Sequence, residues 1–452
     1  MPMSATYEKS EELGHKQSPE SPTPLESDIP DGGFQAWATV FGCFLIQFCG
    51  FGYVLSFGVY QDFYTRIYLT NYPPTAISWI GSLASFLGDS ISLISGPLYD
   101  RGWFYTLMIV GSSLQSLSLF ILSLAKPDQF YLVFMIQGVL AGIGIGLAYA
   151  PSMAVISQHF SKRRTLAMAL VVAGTPLGAV AHSIMLNHLL NRVGFSRGVL
   201  VSAGFVSALL LIACLSMRTR ALPTPSGASY RAAARKCSRD VLFILMTTGA
   251  TLFQVAIYFP LFYLQLDSVK HGIGVNFSFY SLVIMNASAF IARCTTGMIA
   301  PYMGVLNLTI VSTVVCSALI ISMIALVDIA SGIVICVVYG YFYGVFVALA
   351  APLVVLLTPD LSELGARLGI SLVFVGACPA AISEPATKRE WLAFGGLLGG
   401  PISGALLGSQ YKWLIPTLFS GLIAFCGSFV FASMRLIIYY RRKSQVTRAE
   451  TA

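Results

Sequence analysis

An all-α integral membrane protein, with twelve transmembrane helices in two six-helix bundles, is the fold class that three observations predict for this sequence. Of its 452 residues, 56% are hydrophobic and 10% charged, with a mean hydropathy of +0.76; soluble domains carry about 25% charged residues. The apolar residues recur in blocks of about 20, the length an α-helix needs to cross a hydrocarbon core about 30 Å thick, and roughly twelve such blocks fit. A basic stretch rich in Pro, Ser and Gly separates the sixth block from the seventh. These features exclude a soluble catalytic domain and a seven-helix bundle. A transmembrane β-barrel is excluded too, because it needs short alternating segments.

Residues 1–30 hold six acids, two Lys and five Pro and read as a disordered tail with no apolar face to bury. They lack the apolar core of a signal peptide, so the first block is expected to serve as an uncleaved targeting signal. The first bundle spans 31–217, with helices expected at 36–60, 76–97, 104–125, 130–152, 165–188 and 198–217. The linker, 218–240, carries Arg218, Arg220, Arg231, Arg235, Lys236 and Arg239. The second bundle spans 241–438, with helices expected at 241–264, 276–298, 305–327, 331–357, 365–408 with an interruption, and 413–438. A tail, 439–452, completes the chain. The interruption, 377–393, introduces Pro379, Glu384, Pro385, Lys388, Arg389 and Glu390, which do not suit hydrocarbon. Removing it joins Gly376 to Phe394 and restores one helix of ordinary spanning length, so it reads as a retained intron, with a looped insertion as the rival.

The net charge of +8 has no aromatic-interleaved basic face, so no nucleic-acid partner is expected. One set of alternate connections, with the linker and the C-terminal tail, holds 16 Lys and Arg and the other holds six. The cytoplasmic side is the richer one, which places both termini there. The nine Cys lie mostly inside apolar blocks without ligand spacing, so they read as small core residues and no metal site is expected.

Two similar six-helix halves joined by a polar linker suit a rocking mechanism of alternating access. The motifs add to this. Gly96-Pro97-Leu98-Tyr99-Asp100-Arg101-Gly102 makes a close turn after the second helix, with Asp100 and Arg101 able to pair with neighbouring helix ends as a conformational latch. Asp31-Gly32-Gly33-Phe34-Gln35-Ala36-Trp37 sets a turn and an interfacial aromatic at the membrane entrance. Lys162, Arg163 and Arg164 come after the fourth helix as a positive anchor. The loop with Gly96, Asp100 and Arg101 resembles the signature of the major facilitator superfamily. Asp31, Gly32, Gly33 and Trp37, with the basic trio, resemble its monocarboxylate-transporter-like branch, fungal members above all. The glycines Gly138, Gly142, Gly144 and Gly146 read as helix packing rather than nucleotide binding.

Ionisable residues inside a span usually face a cavity or a partner. Arg293, in the eighth helix, stands where the resemblance implies a substrate-contacting arginine, and its guanidinium can fork onto a carboxylate. Asp89 reads as a proton acceptor, as the partner of Arg293, or as a protonated structural acid. His182 is a lone histidine on an apolar face. Tyr149, Gln47, Gln137, Gln254, Tyr258 and Asn286 are hydrogen-bonding candidates for a central cavity, though such residues also glue helices together. Two departures restrict the resemblance: Ala289 stands where animal proton-coupled members carry an aspartate, and the stretch Tyr53 to Phe57 lacks their lysine.

The function expected is secondary active transport, by alternating access, of a small organic solute that is monocarboxylate-like, a vitamin or a secondary metabolite. The partners are that solute, a coupling proton and the lipid bilayer, with no cofactor. The site is the plasma membrane, or the vacuolar membrane as the alternative. A transporter-like sensor would favour longer tails. A lipid-modifying enzyme would need clustered catalytic groups, and the five His are dispersed.

Overall fold

The structure, a computed structural model, describes residues 32–72, 74–220, 230–270, 275–325, 328–358, 364–376, 406 and 413–451. Described residues form helices and no strands. Ten helical stretches among them are long and apolar enough to cross a membrane. The tail 1–30, Asp31 and the interruption 377–393 lie outside the described residues.

The first span is broken into α1 (Phe34–Cys49), α2 (Phe51–Leu55) and α3 (Phe57–Phe63), ending in a π-helical turn at Tyr64–Tyr68. Gly32 and Gly33 precede it at φ 145° and 104°, left-handed backbone open to glycine at little cost. Gly33 then accepts the Trp37 N–H at 3.1 Å, and Trp37 meets Phe160 edge-on with centroids 5.1 Å apart. The second expected helix forms as α4 (Pro74–Ser90) and α5 (Ser92–Asp100), interrupted at Ile91.

The first half continues through α6 (Phe104–Leu122), α7 (Phe130–Val133) and α8 (Ala141–Ala154), the last two joined by a π-helical segment at Phe134–Leu140. It closes with α9 (Arg164–Val193) and α10 (Phe195–Ser216). The linker contains α11 (Tyr230–Arg239). The second half comprises α12 (Val241–Lys270), α13 (Val275–Met303), α14 (Val305–Ser322), α15 (Ile329–Leu356), α16 (Leu364–Gly376) and α17 (Leu414–Thr451). α17 runs beyond the expected end at 438, through the region read as a tail.

The linker end of the molecule is fixed by contacts within each half. His159 Nε2 lies 2.8 Å from the Arg218 carbonyl, which sets the loop after α8 beside the start of the linker. Asp240 caps α12 by accepting the Leu242 N–H at 3.1 Å. Arg367 of α16 reaches Asp240 at 3.8 Å and donates to the Leu357 carbonyl at 2.9 Å. Between the halves, α9 packs on α13 and α15, while α16 packs on α4, α5 and α8.

Candidate functional site

Two seams join the halves at the linker end. In the first, Asp100 at the end of α5 accepts the Gly365 N–H at 3.1 Å and the Ala366 N–H at 2.8 Å. These are unpaired donors of the first turn of α16, where the helix dipole also favours a negative charge. The backbones touch alongside. A Cβ on Gly96 would lie 2.2 Å from the Gly365 carbonyl oxygen, and one on Gly369 would lie 2.3 Å from that of Ser92. Arg101, expected to share the latch, is instead exposed on the turn, with no hydrogen bond or ion pair among the described residues.

The second seam brings α13 onto α9. Arg293, 1% exposed, donates from Nη1 to the Val172 carbonyl at 2.7 Å. The local sequence explains why that carbonyl accepts it. A helical carbonyl normally takes the N–H four residues on, and here that residue is Pro176, inside α9 and without an N–H. The guanidinium replaces the missing donor across the interface. Its Cζ lies 6.0 Å from the centre of the Tyr343 ring of α15, a cation–π arrangement. Its Nε has no hydrogen-bond partner among the described residues.

Above the two seams the aromatic and charged groups converge. Tyr149 of α8 lies within electrostatic reach of Asp89, Arg293 and Tyr343. Phe51 packs against Tyr149 with centroids 4.7 Å apart, and Tyr339 stacks one turn from Tyr343 at 6.2 Å. Asp89, Tyr149, Arg293 and Tyr343, drawn from four helices of both halves, make a candidate cluster that combines hydrogen-bonding groups, ring faces and charge.

The other candidates fall in different places. Gln47 donates to Ser152 at 3.1 Å and accepts from Thr175 at 3.4 Å, tying three helices of the first half together. Gln137 accepts from Tyr64 at 2.8 Å. Asn286 donates to the Leu282 carbonyl of its own helix at 2.9 Å. Gln254 is half-buried on α12, and the Tyr258 side chain lies outside the described residues. His182 is fully buried among Phe48, Tyr53 and Phe205, away from the cluster, with neither ring nitrogen hydrogen-bonded among the described residues. The Phe48 backbone lies near the ring without hydrogen-bond geometry. Of the basic trio, Arg164 donates to the Phe160 carbonyl at 3.0 Å, and Lys162 and Arg163 lie exposed on the turn before α9.

Ala289 is fully buried where α13 meets α15: a Cβ on Gly344 would come within 2.7 Å of the Ala289 carbonyl oxygen. Sequence reading missed Tyr343 and Tyr339. The available signal was their spacing of four, which puts both on one helix face.

The family model described as Major Facilitator Superfamily matches residues 37–382. The Aspyridones efflux protein apdF of Emericella nidulans is 30% identical over 439 residues, covering 97% of this chain and 85% of that protein. The Agnestins efflux protein AgnL12 of Paecilomyces divaricatus is 30% identical over 452 residues, covering 97% and 98%. Among solved structures, the transporter FucP in its outward conformation superposes with a TM-score of 0.65 at 14% identity, over 88% of this chain and 98% of that one. The proton:xylose symporter XylE does so at 0.67 and 12% identity, over 88% and 95%. The likeness to both is one of fold.

Proposed function

We propose, from the premise that the chain belongs to the Major Facilitator Superfamily, that it exports a secondary-metabolite-type solute. It is a secondary active transporter of a small organic solute, in a family of transporters rather than enzymes. The observation that carries the direction is its match, along 97% of its length, to fungal proteins named for efflux of their own compounds. The finer reading of a monocarboxylate-like solute rests on motif resemblance alone, and the cluster supports a larger one. Phe51, Tyr149, Tyr339 and Tyr343 offer ring faces, and Arg293 offers guanidinium donors to a carbonyl, enol or carboxylate oxygen once it leaves Val172.

With the linker and both termini in the cytoplasm, as the charge asymmetry favours, the two seams shut the cytoplasmic mouth and the arrangement is outward-facing. The plasma membrane is the site this reading favours. Twelve spans result when the pair α4 and α5, and the helix α16, are counted with the ten long apolar stretches.

Comparative metabolite profiling of cells and medium, in a fungal host with and without the chain, tests the proposal. A compound that accumulates in the medium with the wild type and stays in cells with Arg293→Ala is the expected result. A compound drawn into cells instead, or no shift despite membrane expression, would overturn export.

A further inference from the structure

We infer that Asp89 carries the coupling proton, taking it up while the linker end is sealed and releasing it when that end opens, so that inward proton flow drives solute outward. The inference rests on the export reading above. Ser85, Asp89, Ser92 and Gly96 succeed one another at helical spacing and share one stripe of α4 and α5. Ser92 and Gly96 pack on Gly369 and Gly365 of the other half. Asp89 therefore stands one turn inward of a seam that must part when the linker end opens.

Asp89 is half-buried and makes no hydrogen bond or ion pair among the described residues. The titratable groups on the elements packed against α4 and α5 are otherwise occupied. Tyr149 of α8 faces it and is shared with Arg293 and Tyr343. Arg367 of α16 is turned to Asp240 and Leu357, and Asp100 of α5 is bound to the start of α16. On the first span, Tyr53 and Tyr60 bond to each other, Tyr64 to Gln137, Tyr68 to the Ala125 carbonyl, and Arg66 to Asp62. Arg293, the cation of the cluster, is held on Val172. A bare carboxylate so placed is costly inside a membrane, whereas the neutral acid is tolerated.

The step balances simply. With the linker end sealed, a hydronium ion from the side away from the linker gives its proton to a carboxylate oxygen of Asp89 and is left as water; an O–H bond forms and the side-chain charge goes from −1 to 0. When α5 leaves α16, water from the linker side reaches Asp89, the O–H bond breaks, the carboxylate regains its charge of −1 and the proton leaves on that water as hydronium. Solute binds the opened cluster and is carried back as the seam closes.

Two measurements on the full chain in lipid test this. Infrared difference spectra between about pH 5 and about pH 8 should show the carbonyl stretch of a protonated carboxyl, lost in Asp89→Asn; a spectrum unchanged by that substitution would overturn the proposal. This arm needs no solute, so it decides the protonation of Asp89 even if profiling finds no exported compound. In the second arm, the compound found by profiling is tracked in vesicles. Asp89→Asn should slow export driven by a pH gradient about tenfold or more, lower solute-for-solute exchange far less, and flatten the pH profile, with partial recovery in Asp89→Glu. Export as fast as wild type, or equal loss of export and exchange in the folded variant, would overturn it.

Discussion

The two seams at the linker end do the same work with opposite chemistry. In α5 and α16, the first half supplies an acid and the second supplies backbone donors: Asp100 sits on the open N–H groups of a helix start. In α9 and α13, the second half supplies a cation and the first supplies a backbone acceptor: Arg293 sits on a carbonyl that Pro176 leaves unpaired. The turns beside them are alike, with Gly102 at φ 88° and Gly304 at φ 81°. Yet two residues before its turn glycine α13 carries Tyr302, 91% exposed, where α5 carries Asp100. Each seam thus exploits a backbone group that its own helix cannot satisfy. Such groups are costly only when left buried and unpaired, so they give a strong contact when the halves meet and hydrate when the halves part.

Steric fit should dominate this comparison. Gly96→Val has no space to relax into, because the obstructing atoms belong to the Gly365 backbone. Overpacking of this kind costs about 1–3 kcal/mol or more. Export should fall about tenfold or more in consequence. Hydrogen–deuterium exchange should speed up in α5 and α16 while α9 and α13 stay close to wild type. Equal loosening of both seams would show that they act as one unit and would remove the basis of the comparison.

The chemical halves of the seams should rank next. Arg293→Met strands the Val172 carbonyl in a dry interface, at about 1–3 kcal/mol. Asp100→Asn keeps one acceptor oxygen at the start of α16 and loses the charge, worth about 0.3–1 kcal/mol, together with one of the two backbone hydrogen bonds, worth about 1 kcal/mol. Exchange should therefore rise at least as much in α9 and α13 of the first variant as in α5 and α16 of the second. The reverse order would place the greater share of closure on the acid.

Much of this is readable in the chain. Arg293 stands out because a charge inside a span demands a reason, and Asp100 because it comes after a Gly-Pro turn at a helix end. The breadth of the second helix is harder to see, since Ser, Gly and Asp residues dilute its hydropathy and it breaks at Ile91. Tyr343 is hidden among 21 tyrosines, and only the meeting of α13 and α15 singles it out. The polar candidates Gln47, Gln137 and Asn286 have hydrogen-bond partners that composition does not reveal. Val172 is the deepest omission. No side-chain property marks it, and its role comes wholly from the proline four residues later.

That dependence yields the smallest and sharpest test. Pro176→Ala returns an N–H to α9, and the Val172 carbonyl can then accept it within the helix. Alanine is favoured over proline in a helix interior by about 3 kcal/mol, so α9 itself should become more stable and unfold later on heating. Arg293 loses sole claim to the carbonyl, and the seam should weaken by about 1 kcal/mol, the net worth of one hydrogen bond. The two effects have opposite signs, which separates them from general damage: α9 amides should exchange more slowly while those of α13 exchange faster. Double substitution with Arg293→Met should add little at α13, because both changes remove the same bond. Fully additive losses would mean that Arg293 is held by something other than the carbonyl that proline frees.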